Sequence, residues 1–335
     1  MRYQLLGRSG LRVSELALGT MTFGEDWGWG ASEEESRRIF ERYAEAGGNF
    51  VDTANNYTNG TSERFVGQFV APDRDHFVVA TKYTLTDRKD DPNFGGNHRK
   101  NLRRSLTDSL RRLGTDYVDL LWLHMWDGMT PLEEVLRAID DLVRAGKVLH
   151  VGFSDTPAWV VARAVAIAEL RGWVRPVAVQ LPYSLADRSP ERELLPMARD
   201  LQLAVTPWGL LEEGVLTGKY RRESDEPRRN RSAGQRVMAL GDAVTGLAEE
   251  IGRSPAQVAI NWVRQQPGTI IPIIGTRTET QLKDSLGCLD FELTPDQLSR
   301  LAEASPIDLG FPRSFLESGH VRELIFGETY ELIDR

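Results

Sequence analysis

Apolar residues recur along this chain in two alternating rhythms. Short runs that are apolar throughout suit strands buried on both faces; longer stretches with apolar positions every three or four residues suit helices buried on one face. Strands are predicted at 15–18, at a run ending on Asp52, at 77–81, 118–123, 148–153, 177–180, 203–206 and 269–274. Helices are predicted from Ser32 to 46 and over 62–70, 98–113, 131–145, 157–171, 191–201, 242–251, 254–265, 279–286 and 295–304. Ser32 before three glutamates is a helix-starting pattern, Gly47-Gly48 stops that helix, and Pro131 suits a first turn. The segment 1–14, around Gly7-Arg8-Ser9-Gly10, predicts a small hairpin, and the last 30 residues look irregular and more aromatic. Eight strands alternating with helices, without a break in composition, predict a single α/β domain over 1–335. It is a (β/α)8 TIM barrel with an N-terminal hairpin and extra helices. A doubly wound sheet is disfavoured. Gly28-Trp29-Gly30-Ala31-Ser32-Glu33 has two of the three glycines of a dinucleotide fingerprint, but too far beyond the first strand.

Composition narrows the class. Of 335 residues, 41% are hydrophobic and 27% charged, and the formal net charge is -8. Bases are interspersed with acids, so no nucleic-acid partner is expected. The cluster from Arg221 to Arg231 includes Glu223, Asp225 and Glu226 and reads as a solvated loop. One cysteine, Cys288, excludes an internal disulfide. No charged-then-apolar leader and no apolar run near ~20 residues is evident, so no membrane partner and a cytoplasmic location are expected. The oligomeric state is left open.

Candidate chemistry lies at the predicted strand ends. Parallel strands bring their C-terminal ends to one barrel face, where chemistry is placed. Read in order, that rim carries Gly19-Thr20, Asp52, Lys82, His124, Ser154-Asp155, Gln180, Trp208 and Gly275-Thr276-Arg277, with Tyr57 shortly after Asp52. A phenol beside an ammonium, itself paired to a carboxylate, is arranged to give a proton to a carbonyl oxygen; an imidazole can orient that carbonyl. Taken singly, each of these residues has a structural explanation, and only their joint appearance on consecutive strands favours chemistry. On the other side of the rim, Ser154, Asp155 and Gln180 can bond a carboxamide, and Trp208 can stack on a flat ring. Gly275, Thr276 and Arg277 open a helix suited to phosphate. Trp27, Trp29, Tyr83, Trp126 and the loop 85–98 suit either a pocket lining or ordinary packing.

The segments LGTMTFG (18–24), GGNFVDTANNY (47–57), ATKY (80–83), VGFSD (151–155), VQLPYSL (179–185), PWGLLEEGVLTGKY (207–220) and IIGTRTETQLKDS (273–285) resemble the aldo-keto reductase superfamily over essentially the whole chain. The variant is most similar to a bacterial branch that also resembles voltage-gated potassium-channel β-subunits. The resemblance implies an oxidoreductase that uses NADP(H) to reduce a small-molecule aldehyde or ketone, sugar-like or aromatic. Tyr57 would be proton donor, Lys82 and Asp52 would tune it, and His124 would orient substrate beside Trp126. It implies cofactor contacts from Gly19, Thr20, Met21, Asp52, Ser154, Asp155, Gln180 and Trp208. The loop carrying Gly209, Leu210, Glu212, Gly214 and Lys219 would fold over the pyrophosphate. Gly275, Thr276 and Arg277 would take the 2′-phosphate, with Gln281 and Ser285 by the adenine. Asp155 stands where that family usually has asparagine, Gly209-Leu210 where it has Ser-Pro, and Ser285 where it has asparagine. An NADP(H)-sensing protein with slow turnover is the alternative, and a cofactor-free isomerase or lyase on the same barrel a third.

Overall fold

A computed structural model describes residues 1–217 and 235–334. Its centre is an eight-stranded parallel sheet curled into a barrel. The strands are β3 (Ala17–Gly19), β4 (Phe50–Asp52), β5 (Val78–Tyr83), β6 (Val118–Leu123), β7 (Val148–Ser154), β8 (Ala178–Pro182), β9 (Ala204–Trp208) and β10 (Ile273–Gly275). Before them, β1 (Tyr3–Leu5) and β2 (Arg12–Ser14) form the expected antiparallel hairpin. The wall closes where β10 pairs with β3 and Val205 bridges Ile270. The last strand is shorter than the predicted 269–274. Pro272 has no N–H to give, so the ladder splits into that bridge and the three residues of β10.

The two-residue period of the strands decides what the rim carries. Phe50, Val78, Ala80, Leu120, Trp122, Ala178, Ala204 and Ile273 fill the barrel interior with Leu6 and Val13 of the hairpin segment, which plug its N-terminal end. Val51, Val79, Leu121, Leu123, Val151, Phe153, Val179 and Val205 face outward into the helix layer. Alternation then sets Asp52, Lys82, Ser154, Gln180 and Trp208 on the interior side at the strand ends. One steric allowance makes the interior possible. A Cβ on Gly152 would lie 2.2 Å from the Trp122 ring, so only glycine admits that indole.

The helix layer comprises α1 (Glu33–Glu45), α2 (Thr61–Val70), α3 (Arg99–Leu113), α4 (Leu132–Arg144), α5 (Ala158–Arg171), α6 (Leu194–Asp200), α7 (Gln235–Ile251), α8 (Pro255–Arg264), α9 (Glu279–Leu286) and α10 (Pro295–Ala304). Ser32 caps α1 as expected, its side chain accepting the Glu35 N–H. α7 begins earlier than predicted and runs through Gly241, where an added Cβ would sit 3.0 Å from the Val215 carbonyl oxygen. The tail is not irregular throughout. It forms α11 (Arg313–Leu316) and α12 (Gly319–Phe326), the latter started by the Ser318 side chain accepting the Val321 N–H. The arginine-rich cluster 221–231 and Lys219 lie outside the described residues. Among the described residues no helix is long and apolar enough to cross a membrane.

Candidate active site

Four predicted side chains meet at the rim of β4, β5 and β6. Lys82 Nζ donates to Asp52 Oδ2 at 2.5 Å, to the Thr53 carbonyl at 2.8 Å and to Tyr57 Oη at 3.1 Å. All three donor positions of the ammonium are thereby used. The Tyr57 and His124 rings lie 6.0 Å apart, edge to face at 81°. Gln180 reaches across the barrel to donate from Nε2 to Asp52 Oδ1 at 3.2 Å, so this amide braces the carboxylate. Beneath Asp52, Thr20, Thr53 and Ser62 share hydroxyl hydrogen bonds of 2.8 Å, and Thr20 also bonds the Asp52 carbonyl. No pattern in the sequence marked Thr53 or Ser62; they act through main-chain and hydroxyl contacts that many polar residues supply.

Burial governs the charges. It works against the Lys82 ammonium, but Asp52 and Tyr57 together outweigh it, so Lys82 is held above its ordinary value and charged. Burial also raises the Tyr57 phenol, and the Lys82 charge pulls it down without cancelling that effect. The Lys82 charge acts in the expected direction, but burial outweighs it and the phenol stays protonated at neutral pH. Burial, with the Lys82 charge added, lowers His124 to about 3. The imidazole is neutral, and its buried Nδ1 has no protein partner.

The opposite half of the rim is differently built. The Ser154 hydroxyl and the Thr276 hydroxyl are buried without partners. Trp208 is 41% exposed, and space beside Gly209 and Gly275 is open. Asp155 turns into the left-handed region at φ 43°, its N–H bonding the Gln180 carbonyl and its Oδ1 accepting the Trp208 indole N–H at 3.4 Å. Burial raises its carboxyl above the ordinary range, against the pull of that indole and of Lys82. Glu212 and Gly214 stand in another left-handed turn, at φ 45° and 90°, while Leu210 is buried. Arg277 heads the turn into α9, where its N–H bonds the Gln281 side chain, and it makes no ion pair among the described residues. Ser285 is buried on α9, and Met21 is 39% exposed at the rim beyond Gly19.

The aromatic candidates divide. Tyr83 points outward on β5, is buried in the helix-facing core and bonds the Asn97 carbonyl, so it does not line a pocket. Trp126 is half-buried against that core, its N–H bonding the Asp155 carbonyl at 3.4 Å. Trp27 and Trp29 lie 5.5 Å apart, and Trp27 donates to Asn59 two residues beyond Tyr57. A groove of about 1020 Å³ at the hairpin end, lined by Tyr3, Arg42, Arg264 and Lys283, shares none of these groups. Among the described residues no cluster of His, Cys, Asp and Glu could hold a metal ion.

A closed parallel barrel with a hydrogen-bonded phenol, amine and carboxylate at its C-terminal rim has the architecture of a barrel enzyme. The chain belongs to the Aldo/keto reductase family, whose model matches residues 15–306. It is 39% identical to a norsolorinic acid reductase of Emericella nidulans, over 92% of this chain and 82% of that protein. It is 36% identical to an aryl-alcohol dehydrogenase [NADP(+)] of Phanerodontia chrysosporium, over 92% and 87% respectively. A putative aryl-alcohol dehydrogenase of Saccharomyces cerevisiae is also 36% identical, over 94% and 89%. The chain is therefore an oxidoreductase of the carbonyl–alcohol pair that uses a nicotinamide cofactor. Two unpartnered buried hydroxyls and an exposed indole face on one side of the rim fit such a flat, amide-bearing group.

Proposed function

We propose that this protein is an NADPH-dependent reductase of aromatic aldehydes or ketones in which Tyr57 donates the proton. The observation that carries the reading is the Lys82 ammonium joining Asp52 to the Tyr57 hydroxyl. When bound, the cofactor supplies a hydride to the carbonyl carbon. Tyr57 passes its proton to the carbonyl oxygen, giving the alcohol, and the phenolate left behind rests against a charge already 3.1 Å away. Lys82 can hold that charge because Asp52, braced by Gln180, keeps it ionised in a buried place. Neutral His124 offers a hydrogen bond to the same oxygen without adding a second positive charge.

Ser154 supports the carboxamide and Trp208 the ring face, while Gly275, Thr276 and Arg277 support the phosphate end. The names of the relatives and the tryptophan pair beside the Tyr57 turn favour an aromatic substrate. In Tyr57→Phe, NADPH should still quench tryptophan fluorescence while steady-state turnover of an accepted benzaldehyde falls about 10²–10⁴-fold. Turnover within a few-fold of the parent would sink the donor assignment. Sustained multiple turnover by the parent would also separate a reductase from a slow-release sensor.

A further inference from the structure

We propose that Asp155 biases the site toward the oxidised form of the nicotinamide cofactor, through a carboxylate placed on the ring-binding half of the rim. The inference rests on the reading above. Asp155 follows β7 in a left-handed turn, which aspartate and asparagine enter more readily than other L residues, and its surroundings hold it there. Three contacts do so: its N–H to the Gln180 carbonyl, its carbonyl from the Trp126 N–H, and its Oδ1 from the Trp208 indole. The last contact ties the carboxyl to the exposed indole on which a flat ring would rest. A neutral amide oxygen could accept that N–H equally well, so the carboxylate's distinctive contribution is its charge.

The reduced ring is neutral and the oxidised ring carries one positive charge. A fixed negative charge in a half-buried place favours the second and leaves the first nearly unaffected. The neighbours offset it only in part, through the pull of Lys82. Lys82, on β5, is committed to Asp52; Tyr57 and His124 are neutral; and Gln180 and Trp208, on β8 and β9, carry no charge. Because burial makes the Asp155 carboxyl weaker than usual, its ionised fraction, and with it the bias, grows as pH rises. Tighter holding of the oxidised form tilts the bound equilibrium toward alcohol plus oxidised cofactor, the side reached by consuming carbonyl, reduced cofactor and a proton.

The test is a fluorescence titration of the parent and of Asp155→Asn with NADP+ and with NADPH, from about pH 5 to about pH 9. Both forms carry the same phosphates, so the ratio of their affinities isolates the ring. Asparagine tolerates the left-handed turn. The expected result is a preference for NADP+ over NADPH that falls roughly tenfold in Asp155→Asn, and a parent ratio that rises with pH where the variant's stays flat. Equal and flat ratios in the two proteins would overturn the inference while leaving the cofactor reading intact. Failure of the parent to bind either form would overturn both. If Asp155→Asn does not fold, the parent's pH series decides alone: a rising ratio supports the inference and a flat one ends it.

Discussion

The two halves of the rim sit on one barrel yet are finished to different degrees. On the β4–β6 side, the Lys82 ammonium has every donor used, the Asp52 carboxylate is bonded through both oxygens, and both residues are buried, while Tyr57 is partly exposed. On the β7–β10 side, buried hydroxyls stand unpartnered and the Trp208 indole is partly exposed. The physical meaning follows from the cost of burial. A charge taken out of water must be paired in the folded protein itself, whereas a hydroxyl left unbonded costs little enough to wait for a ligand. On the proposed reading, the proton-handling groups are assembled by folding and the ring-holding groups are left for binding to complete.

That contrast can be broken at several points. The largest expected effect is on the finished side. Lys82→Met leaves Asp52 buried without its counter-charge and should lower unfolding stability by about 3–5 kcal/mol in a urea titration, besides removing turnover. A change under about 1 kcal/mol would show that the pair is not an obligatory part of folding. Next in size is the pH response of His124. Its folded value is depressed to about 3, so its contribution is fully present above the ordinary ~6.5 and is lost as pH falls toward the folded value. Stability should fall by up to about 1.4 kcal/mol per pH unit across that window, and His124→Asn should lessen the slope. An unchanged slope in the variant would remove His124 as its source.

On the binding side the effects should be smaller and appear in affinity. Arg277→Met should cut the preference for NADPH over NADH about tenfold, measured by titration with each cofactor. Equal affinity for both in the parent would count against a phosphate role. Smallest of all, Ser154→Ala should weaken cofactor binding a few-fold while leaving the melting temperature unchanged or slightly higher, because the lost hydroxyl has no partner in the fold. A lowered melting temperature with unaltered affinity would erase the distinction between the two halves.

Much of this was legible in the sequence. Alternation along Phe50-Val51-Asp52 and Val78 to Lys82 marks which side chains face the interior, and parallel strands send their ends to one rim. Local pattern could not reveal contacts made across the barrel. That Gln180 braces Asp52, far away in the chain, depends on the curl of the whole sheet. The positive φ of Asp155 is not readable either, since aspartate enters that region more often than most residues but only in a minority of its positions. The direction of the Lys82 effect on Tyr57 can be read from the sequence, but the depth of burial that outweighs it cannot.

The Pro272 interruption has a mechanical consequence. Among the described residues, only two backbone hydrogen bonds, Val205 N–H to Thr269 and Ile271 N–H to Val205, stitch the seam between β9 and its neighbour below β10. A hooped vessel leaks first at its least-riveted stave. Thermal breathing of this cylinder should therefore begin there, with the amide protons of Val205 and Ile271 trading with solvent ahead of those on the long β5–β6–β7 side.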